Sequence, residues 1–226
     1  MKNLERLEYL FGEENIEKLS KAKVAVIGLG GVGGIAALTL ARSGVGNLII
    51  QDYDLVQESN INRQLIANYQ TINCKKVEVM AEEIKKVNPQ AIITVLDEKF
   101  DANSKLFDYE FDFLIDAIDS IADKFLLIKQ CLENKINFIS SMGAGKKTDP
   151  TKLAIMEIQK TTYDPLAKIL RRKLREEKIS DKIIVSSSTE APADIPALGS
   201  YMPVTATAGL MLADYIIKQI ITGGKF

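Results

Sequence analysis

Short apolar runs alternate with longer amphipathic segments along the first two thirds of this chain. Continuous apolar runs are typical of strands buried on both faces of a parallel sheet, and apolar positions three or four residues apart are typical of helices. The pattern predicts strands at residues 23–27, 47–51, 92–96, 111–116 and 136–140. It predicts helices at residues 4–19, 35–41, 74–87 and 122–133. This order predicts an α/β fold with a doubly wound, mostly parallel, Rossmann-like sheet.

The pattern changes after Ser141, where the predicted elements become shorter and more polar. Strands are predicted at 154–159 and 182–186, a charged helix at 164–175, a Ser- and Pro-rich loop at 186–196 and an amphipathic closing helix at 204–221. We expect one domain over residues 1–226. Its parts are a nucleotide-binding core at 1–145 and a small C-terminal subregion at 146–226 that binds substrate and closes the fold.

Composition narrows the chemistry that this chain can perform. It has no histidine, which excludes a Ser-His-Asp triad, a Cys-His pair and an imidazole metal site. Two cysteines, Cys74 and Cys131, are too few for a disulfide framework, and they form no Cys-x-x-Cys zinc motif. No apolar run is long enough to span a membrane, and the first residues are polar and charged. We therefore expect a cytoplasmic protein without a membrane anchor.

A cluster of glycines follows the first predicted strand, at Gly28, Gly30, Gly31 and Gly33. At a strand-to-helix turn, glycines let the backbone approach a phosphate, and free N–H groups at the start of the helix favour an anion. Asp52 follows Gly33 by 19 residues, a spacing at which a carboxylate can bind a ribose hydroxyl. These features indicate a nucleotide site, and both NAD and ATP fit them.

Four further segments follow the glycine cluster: Asp52-Tyr53-Asp54, Ser59-Asn60-Ile61-Asn62-Arg63-Gln64, Lys75-Lys76 and Asp116-Ala117-Ile118-Asp119-Ser120. This series resembles the adenylating domain of the ubiquitin-activating, MoeB, ThiF and HesA superfamily. The resemblance implies that the site binds ATP, joins a carboxylate to its α-phosphate and releases pyrophosphate. An ionised carboxylate needs no general base, which agrees with the absence of histidine.

The resemblance also implies a role for each matching residue. The four glycines and Ser120 line the nucleotide, and Asp52 binds its ribose. Arg63 and Lys76 hold the phosphates and stabilise charge as pyrophosphate leaves, with hydrogen bonds from Asn60 and Asn62. Asp119 binds Mg²⁺. Arg6 matches an arginine that reaches the ATP of the neighbouring subunit, which implies a homodimer. The catalytic set is then Arg6, Arg63, Lys76 and Asp119.

The second half of the chain resembles one branch of this superfamily, the tRNA threonylcarbamoyladenosine dehydratases. The matching segments are Gly143-Ala144-Gly145, Asp149-Pro150-Thr151, the helix that begins at Asp164-Pro165, Ser188-Thr189-Glu190 and Val204-Thr205-Ala206-Thr207-Ala208-Gly209. The branch implies a tRNA that carries N6-threonylcarbamoyladenosine at position 37. Its threonine carboxylate is adenylated, its own carbamoyl group closes a ring, and AMP leaves. Sulfur-relay proteins are further candidate partners.

No cysteine follows Cys131, so a thioester mechanism is disfavoured. Cys131 lies beside apolar positions of a predicted helix and is expected to be a buried structural thiol. Cys74 stands near the predicted phosphate lysine, and a structural or incidental role is favoured for it. The segment 186–200 is shorter than in some members of the branch.

Lysines and arginines nearly balance acidic residues, 29 against 30, so any nucleic-acid contact must come from a local patch. The charged helix provides a candidate. Its apolar residues share one face, and the opposite face carries Lys168, Arg171, Arg172 and Arg175. These four residues are the predicted RNA-binding stripe. The alternative is a solvated charged face, paired with Glu176 and Glu177.

Three other functions remain open. The chain could adenylate a small ubiquitin-like sulfur carrier, as other members of the superfamily do. It could be an NAD-dependent dehydrogenase, although that function leaves Arg63, Lys76 and Asp119 without a purpose. It could also be a nucleotide-binding scaffold, against which the same three residues argue.

Overall fold

The computed structural model describes residues 2–224. Its strands are β1 (Lys23–Ile27), β2 (Asn47–Gln51), β3 (Ile92–Leu96), β4 (Phe113–Asp116), β5 (Asn137–Ser141), β6 (Leu153–Glu157) and β7 (Ile184–Ser188). They form a seven-stranded sheet in the order β3-β2-β1-β4-β5-β7-β6. Every neighbouring pair is parallel except β6 and β7, which are antiparallel. The predicted doubly wound, mostly parallel fold is confirmed.

Helices cover both faces of the sheet. They are α1 (Glu5–Phe11), α2 (Glu13–Lys21), α3 (Gly33–Arg42), α4 (Lys76–Val87), α5 (Ile121–Glu133), α6 (Pro165–Glu176) and α7 (Met202–Thr222). Val24 and Val26 of β1 pack with α2, α3, α4 and α7, whereas Ala25 and Ile27 pack with α5. Successive side chains of a strand point to opposite faces, so the apolar run of β1 is buried on both sides. A third apolar cluster joins α5 to α6.

The predicted helix at 4–19 is wrong in one respect, because the structure divides it into α1 and α2 at Gly12. Gly12 has φ +83° and ψ 154°, a conformation that only glycine adopts readily. The backbone therefore turns sharply at this position, and the apolar spacing also breaks there, because Phe11 and Ile16 are five positions apart.

Several boundaries differ from the prediction, and two of the differences have clear local reasons. Helix α4 starts at Lys76 rather than at residue 74, because Lys75 is extended and forms an antiparallel bridge with Leu55. Strand β7 extends to Ser188, so Ser186, Ser187 and Ser188 are buried in the sheet and do not belong to the following loop.

The closing helix predicted at 204–221 is confirmed as α7. Within residues 2–224, α7 alone is long and apolar enough to cross a membrane by length and composition. More than half of its most apolar stretch, 56%, is buried inside the fold. Its inward residues belong to the same apolar cluster as those of α3 and β1, which is the arrangement of a core helix.

Candidate functional site

The glycine cluster lies at the switch point of the sheet. The chain adds β2 and β3 on one side of β1 and then returns to add β4 on the other side. The loops that follow β1 and β4 lead to α3 and α5 on opposite faces, which opens a crevice between them. Ligands of open parallel sheets bind in crevices of this kind.

The loops after β1 and β4 are in close contact. Gly28 has φ +88°, and a Cβ atom on it would lie 2.7 Å from the carbonyl oxygen of Ala117. A Cβ atom on Gly33 would lie 1.8 Å from the carbonyl oxygen of Gly28. Both approaches are too short for any side chain. These two glycines are therefore required by the path of the backbone, whatever the turn binds.

Asp52 and Lys76 are buried beside this turn. Asp52, 9% exposed, accepts hydrogen bonds from the Leu29 N–H at 2.6 Å and the Asp54 N–H at 2.8 Å. Lys76, 4% exposed, starts α4 and places Nζ 2.7 Å from Asp54 Oδ2 and 4.0 Å from Asp52 Oδ2. The structure thus brings a carboxylate and an ammonium group together at the edge of the glycine turn.

The segment around Arg63 borders the same turn. A Cβ atom on Gly31 would lie 3.1 Å from the carbonyl oxygen of Arg63. The Arg63 guanidinium donates to the Ser59 carbonyl at 2.9 Å and to Asn62 Oδ1 at 3.0 Å. Asn60 is buried, and its Oδ1 accepts from the Gln57 N–H at 3.1 Å. The Asn60 oxygen therefore caps a local turn, while the guanidinium stays half-exposed.

Asp119 and Ser120 lie in the loop between β4 and α5. Asp119 is exposed, and within residues 2–224 its carboxylate forms no ion pair. The same described residues contain no group of three His, Cys, Asp or Glu side chains that could enclose a metal ion. A single exposed carboxylate suits Mg²⁺, which keeps several waters and binds phosphates, and does not suit a fully protein-built metal cage.

Arg6 is not brought to this site within one chain. Leu4, two positions before Arg6, packs against Gly44, where a Cβ atom would lie 2.7 Å from Leu4 Cδ1. Gly44 follows α3 and precedes β2, so it lies at the amino edge of the sheet. The glycine turn lies at the opposite, carboxyl edge. Arg6 is exposed on α1, separate from the other predicted ATP residues.

Sequence reasoning missed a buried ion pair below the Asp119 loop. Lys124 and Asp116 are both fully buried, and Nζ lies 2.8 Å from Asp116 Oδ2. Burial lowers the pKa of Lys124, while the charge of Asp116 opposes that shift. Lys124 precedes the buried residues Leu127, Ile128 and Cys131 of α5 by three, four and seven positions. That spacing was the signal that could have placed this lysine on the buried face.

Helix α6 presents three of the four predicted basic residues to solvent. Lys168, Arg172 and Arg175 are exposed, and Arg172 lies 3.5 Å from Glu176. Arg171 is half-buried instead, and its guanidinium donates to the carbonyls of Ile158 at 3.2 Å and Thr161 at 3.1 Å and to the Thr161 hydroxyl. The exposed stripe therefore consists of Lys168, Arg172 and Arg175.

The loop at residues 189–201, the late loop, is anchored next to the crevice. Asn62 Nδ2 donates to the Ser200 carbonyl at 3.0 Å. A second anchor comes from Lys146, in the loop that follows β5. Its backbone N–H donates to the Gly199 carbonyl at 2.8 Å, and its Nζ donates to the Ile195 carbonyl at 2.6 Å. The late loop thus connects the segment around Arg63 with the loop that follows β5.

Sequence reasoning also missed that Lys147 is buried. It donates to the carbonyls of Glu190 and Tyr163, and burial lowers its pKa. Close by, Asp164 caps α6 by accepting from the Ala167 N–H at 2.9 Å and also accepts from the Gly143 N–H at 2.9 Å. These bonds fix the start of the basic helix against the loop that follows β5.

A switch-point crevice with a glycine turn, a buried Asp–Lys pair and an exposed carboxylate is typical of a nucleotide-binding α/β protein. A profile of the ThiF family matches residues 4–225, and the chain belongs to that family.

Two further comparisons refine this assignment. The chain is 37% identical over 239 residues to the tRNA threonylcarbamoyladenosine dehydratase of Bacillus subtilis, covering 96% of this chain and 93% of that relative. Its structure is similar to the crystal structure of the Escherichia coli tRNA N6-threonylcarbamoyladenosine dehydratase in complex with ATP. That similarity has a TM-score of 0.93 and 34% identity, and it covers 98% and 95% of the two chains.

The chain is also 32% identical over 211 residues to a molybdopterin-synthase adenylyltransferase of Haemophilus influenzae, covering 92% of this chain and 79% of that relative. Identity and coverage are both lower than for the dehydratase of Bacillus subtilis. The comparisons therefore favour the dehydratase branch over the sulfur-carrier alternative.

Proposed function

We propose that this chain uses ATP to dehydrate N6-threonylcarbamoyladenosine in tRNA to its cyclic form. The observation that carries the proposal is the match to a tRNA threonylcarbamoyladenosine dehydratase over nearly the full length of both chains. The similarity includes α6 and the late loop, which lie outside the nucleotide crevice. An ATP complex of a similar structure supports ATP as the nucleotide.

In this proposal the threonine carboxylate attacks the α-phosphorus of ATP, and pyrophosphate leaves. The carbamoyl group of the same nucleoside then attacks the acyl carbon, a ring closes, and AMP takes away the oxygen that would have left as water. Holding both reacting groups in one substrate gives a high effective concentration. No enzyme thiol is needed. This agrees with the state of Cys131, which is buried and whose pKa is raised by that burial.

We assign the following roles in ATP binding and adenylation to the residues around the crevice. The glycine turn receives the phosphates, and Asp52 binds the ribose while it holds the turn through the Leu29 N–H. Arg63 and Lys76 stabilise the charge that develops as pyrophosphate leaves. Asp119 would hold Mg²⁺, which when bound offsets the negative charge of the phosphates. Asn60, Asn62 and Ser120 complete the nucleotide contacts.

The remaining parts concern assembly. The exposed stripe of α6 would contact tRNA phosphates, because it is the exposed face of a helix fixed beside the late loop. Arg6 lies far from the crevice of its own chain, which supports a homodimer in which it serves the partner's ATP. We propose a cytoplasmic location, with sulfur-relay proteins as further partners.

The test is a reaction with ATP, Mg²⁺ and tRNA that carries N6-threonylcarbamoyladenosine. We expect AMP release together with the loss of one water from the mass of the modified nucleoside. The same tRNA without the threonylcarbamoyl group is the control and should give no AMP. AMP formation that depends on a small ubiquitin-like carrier, and not on tRNA, would refute the proposal in favour of the sulfur-carrier function.

A further inference from the structure

The buried pair of Lys124 and Asp116 lies directly below the loop that carries Asp119. Lys124 Nζ is 2.8 Å from Asp116 Oδ2 and donates to Ser140 Oγ at 3.1 Å. The Ser140 hydroxyl in turn donates to Asp116 Oδ2 at 2.6 Å. Lys124 and Asp116 are fully buried, and Ser140 is as well. The three side chains form a closed hydrogen-bonded group across β4, β5 and α5.

Asp116 connects this group to the loop above it. Its second oxygen, Oδ1, accepts from the Ile118 N–H at 3.0 Å. The preceding residue, Ala117, donates its N–H to the Ile27 carbonyl at 2.8 Å and places its own carbonyl against Gly28. The Asp116 side chain therefore fixes the backbone of residues 117 and 118. This backbone leads to Asp119, and at Ala117 it packs against the glycine turn.

A buried ion pair is a costly way to fill a core. Removing both charges from water costs several kcal/mol for each ion, and well-packed apolar residues often give equal or better stability. Stability alone therefore does not account for this pair. An apolar pair could not provide the hydrogen-bond acceptor Asp116 Oδ1. Lys124 and Ser140 both donate to Oδ2 and so hold the carboxylate in one orientation.

We propose that Asp116 is a positioning residue for adenylation: its Oδ1 holds the Ile118 N–H so that the loop above presents Asp119 to the nucleotide phosphates, and Lys124 balances the charge of the buried carboxylate. This inference rests on the role proposed above for Asp119. Asp116 is fully buried below this loop, and it acts through the Ile118 N–H.

Two double variants separate positioning from simple core stability. Lys124→Met with Asp116→Asn removes both charges but keeps an oxygen that can accept from the Ile118 N–H. Lys124→Met with Asp116→Leu removes both charges and the acceptor. The Lys124→Met single variant leaves Asp116 charged and unpaired. For each variant we would measure the melting temperature, kcat and KM for AMP release, and the Kd for AMP.

We expect both double variants to melt close together and above the single variant, because each avoids an unpaired buried charge. Only the asparagine variant should recover most of the turnover. The leucine variant should lose about a hundredfold in kcat, since a displacement of about 1 Å in a catalytic group has that effect. Its Kd for AMP should change less than about twofold, because Asp52 and the glycine turn are untouched.

Equal turnover of the two double variants, beside an active wild type, would overturn this inference alone. If the leucine variant does not fold, the asparagine variant carries the test, and a loss of about a hundredfold in its kcat would overturn the inference, because this variant keeps the acceptor. A wild type that releases no AMP with the modified tRNA would overturn the proposed function, and this inference with it.

Discussion

Two neighbouring arginines of α6 are predicted to differ in function: Arg172 contacts tRNA, whereas Arg171 stabilises the fold. Arg172 and Arg175 are exposed, so replacing both with glutamine should weaken tRNA binding without unfolding the protein. Each phosphate contact contributes about 0.9 to the slope of log K against log salt, so the slope should fall by roughly 1.8. Between 50 and 200 mM salt, the double variant should then lose about tenfold less affinity than the wild type does.

The stability of that variant should hardly change. Arg172 forms its ion pair with Glu176 at 3.5 Å between two side chains that are each more than 60% exposed, 65% and 63%. Exposed pairs at this spacing in a helix contribute about 0.3–0.5 kcal/mol. The assay is the fluorescence anisotropy of labelled tRNA over a salt series, with thermal unfolding measured on the same preparation.

Arg171→Gln is the control, matched to Arg172→Gln alone, because each removes one positive charge from the same helix. Its guanidinium donates to the Ile158 and Thr161 carbonyls, so the loss should cost about 1–3 kcal/mol of folding free energy. In a chain of this size that lowers the melting temperature by about 2–4 °C per kcal/mol. The salt slope should stay at the wild-type value. A slope reduced by about 0.9, the contribution of one phosphate contact expected to be lost in Arg172→Gln, would refute the reasoning.

Three further outcomes are expected. Asp119→Ala should lower the rate of AMP release by at least about a hundredfold with an unchanged melting temperature, and a wild-type rate would remove its catalytic role. A thiol reagent should react with one cysteine of the native protein, the exposed Cys74, and with both cysteines in denaturant, because Cys131 is buried. Two fast-reacting thiols in the native protein would contradict this. The backbone N–H of Asp149 donates a hydrogen bond to Glu190 and lowers its pKa below the ordinary 4.5. The ionised Glu190 therefore stabilises the folded protein fully above pH 4.5, and this stabilisation is lost as the pH falls through the lowered pKa. The difference in melting temperature between wild type and Glu190→Gln should therefore shrink in acid, and a difference that grows in acid would contradict it.

The central strands could be predicted because their apolar runs record burial on both faces. The predicted bounds of β1, β2 and β3 agree with the structure to the residue. The break at Gly12 had only a weak signal in the spacing, because the apolar residues Phe11 and Ile16 are five positions apart rather than three or four. A glycine permits a positive φ but does not require one.

Side-chain ends were harder to predict than backbone positions. A helical wheel gives the direction of the Cβ atom, and a long side chain can return from there to the protein, as Arg171 does to Thr161. The opposite occurs at Lys124, where residue type indicates the surface and spacing indicates the core. Only its contact with Asp116, eight positions earlier in the chain, explains its burial. That contact depends on how α5 is placed over β4.

The anchors of the late loop have a consequence for how the sequence of this segment can diverge. Asn62 and Lys146 bind the carbonyl oxygens of Ser200, Ile195 and Gly199, which every amino acid possesses. The course of this segment is thereby maintained while its side chains, including the exposed Leu198 and Tyr201, are free to be exchanged. Substitutions in this segment can therefore change the surface that it presents beside the crevice without altering its course.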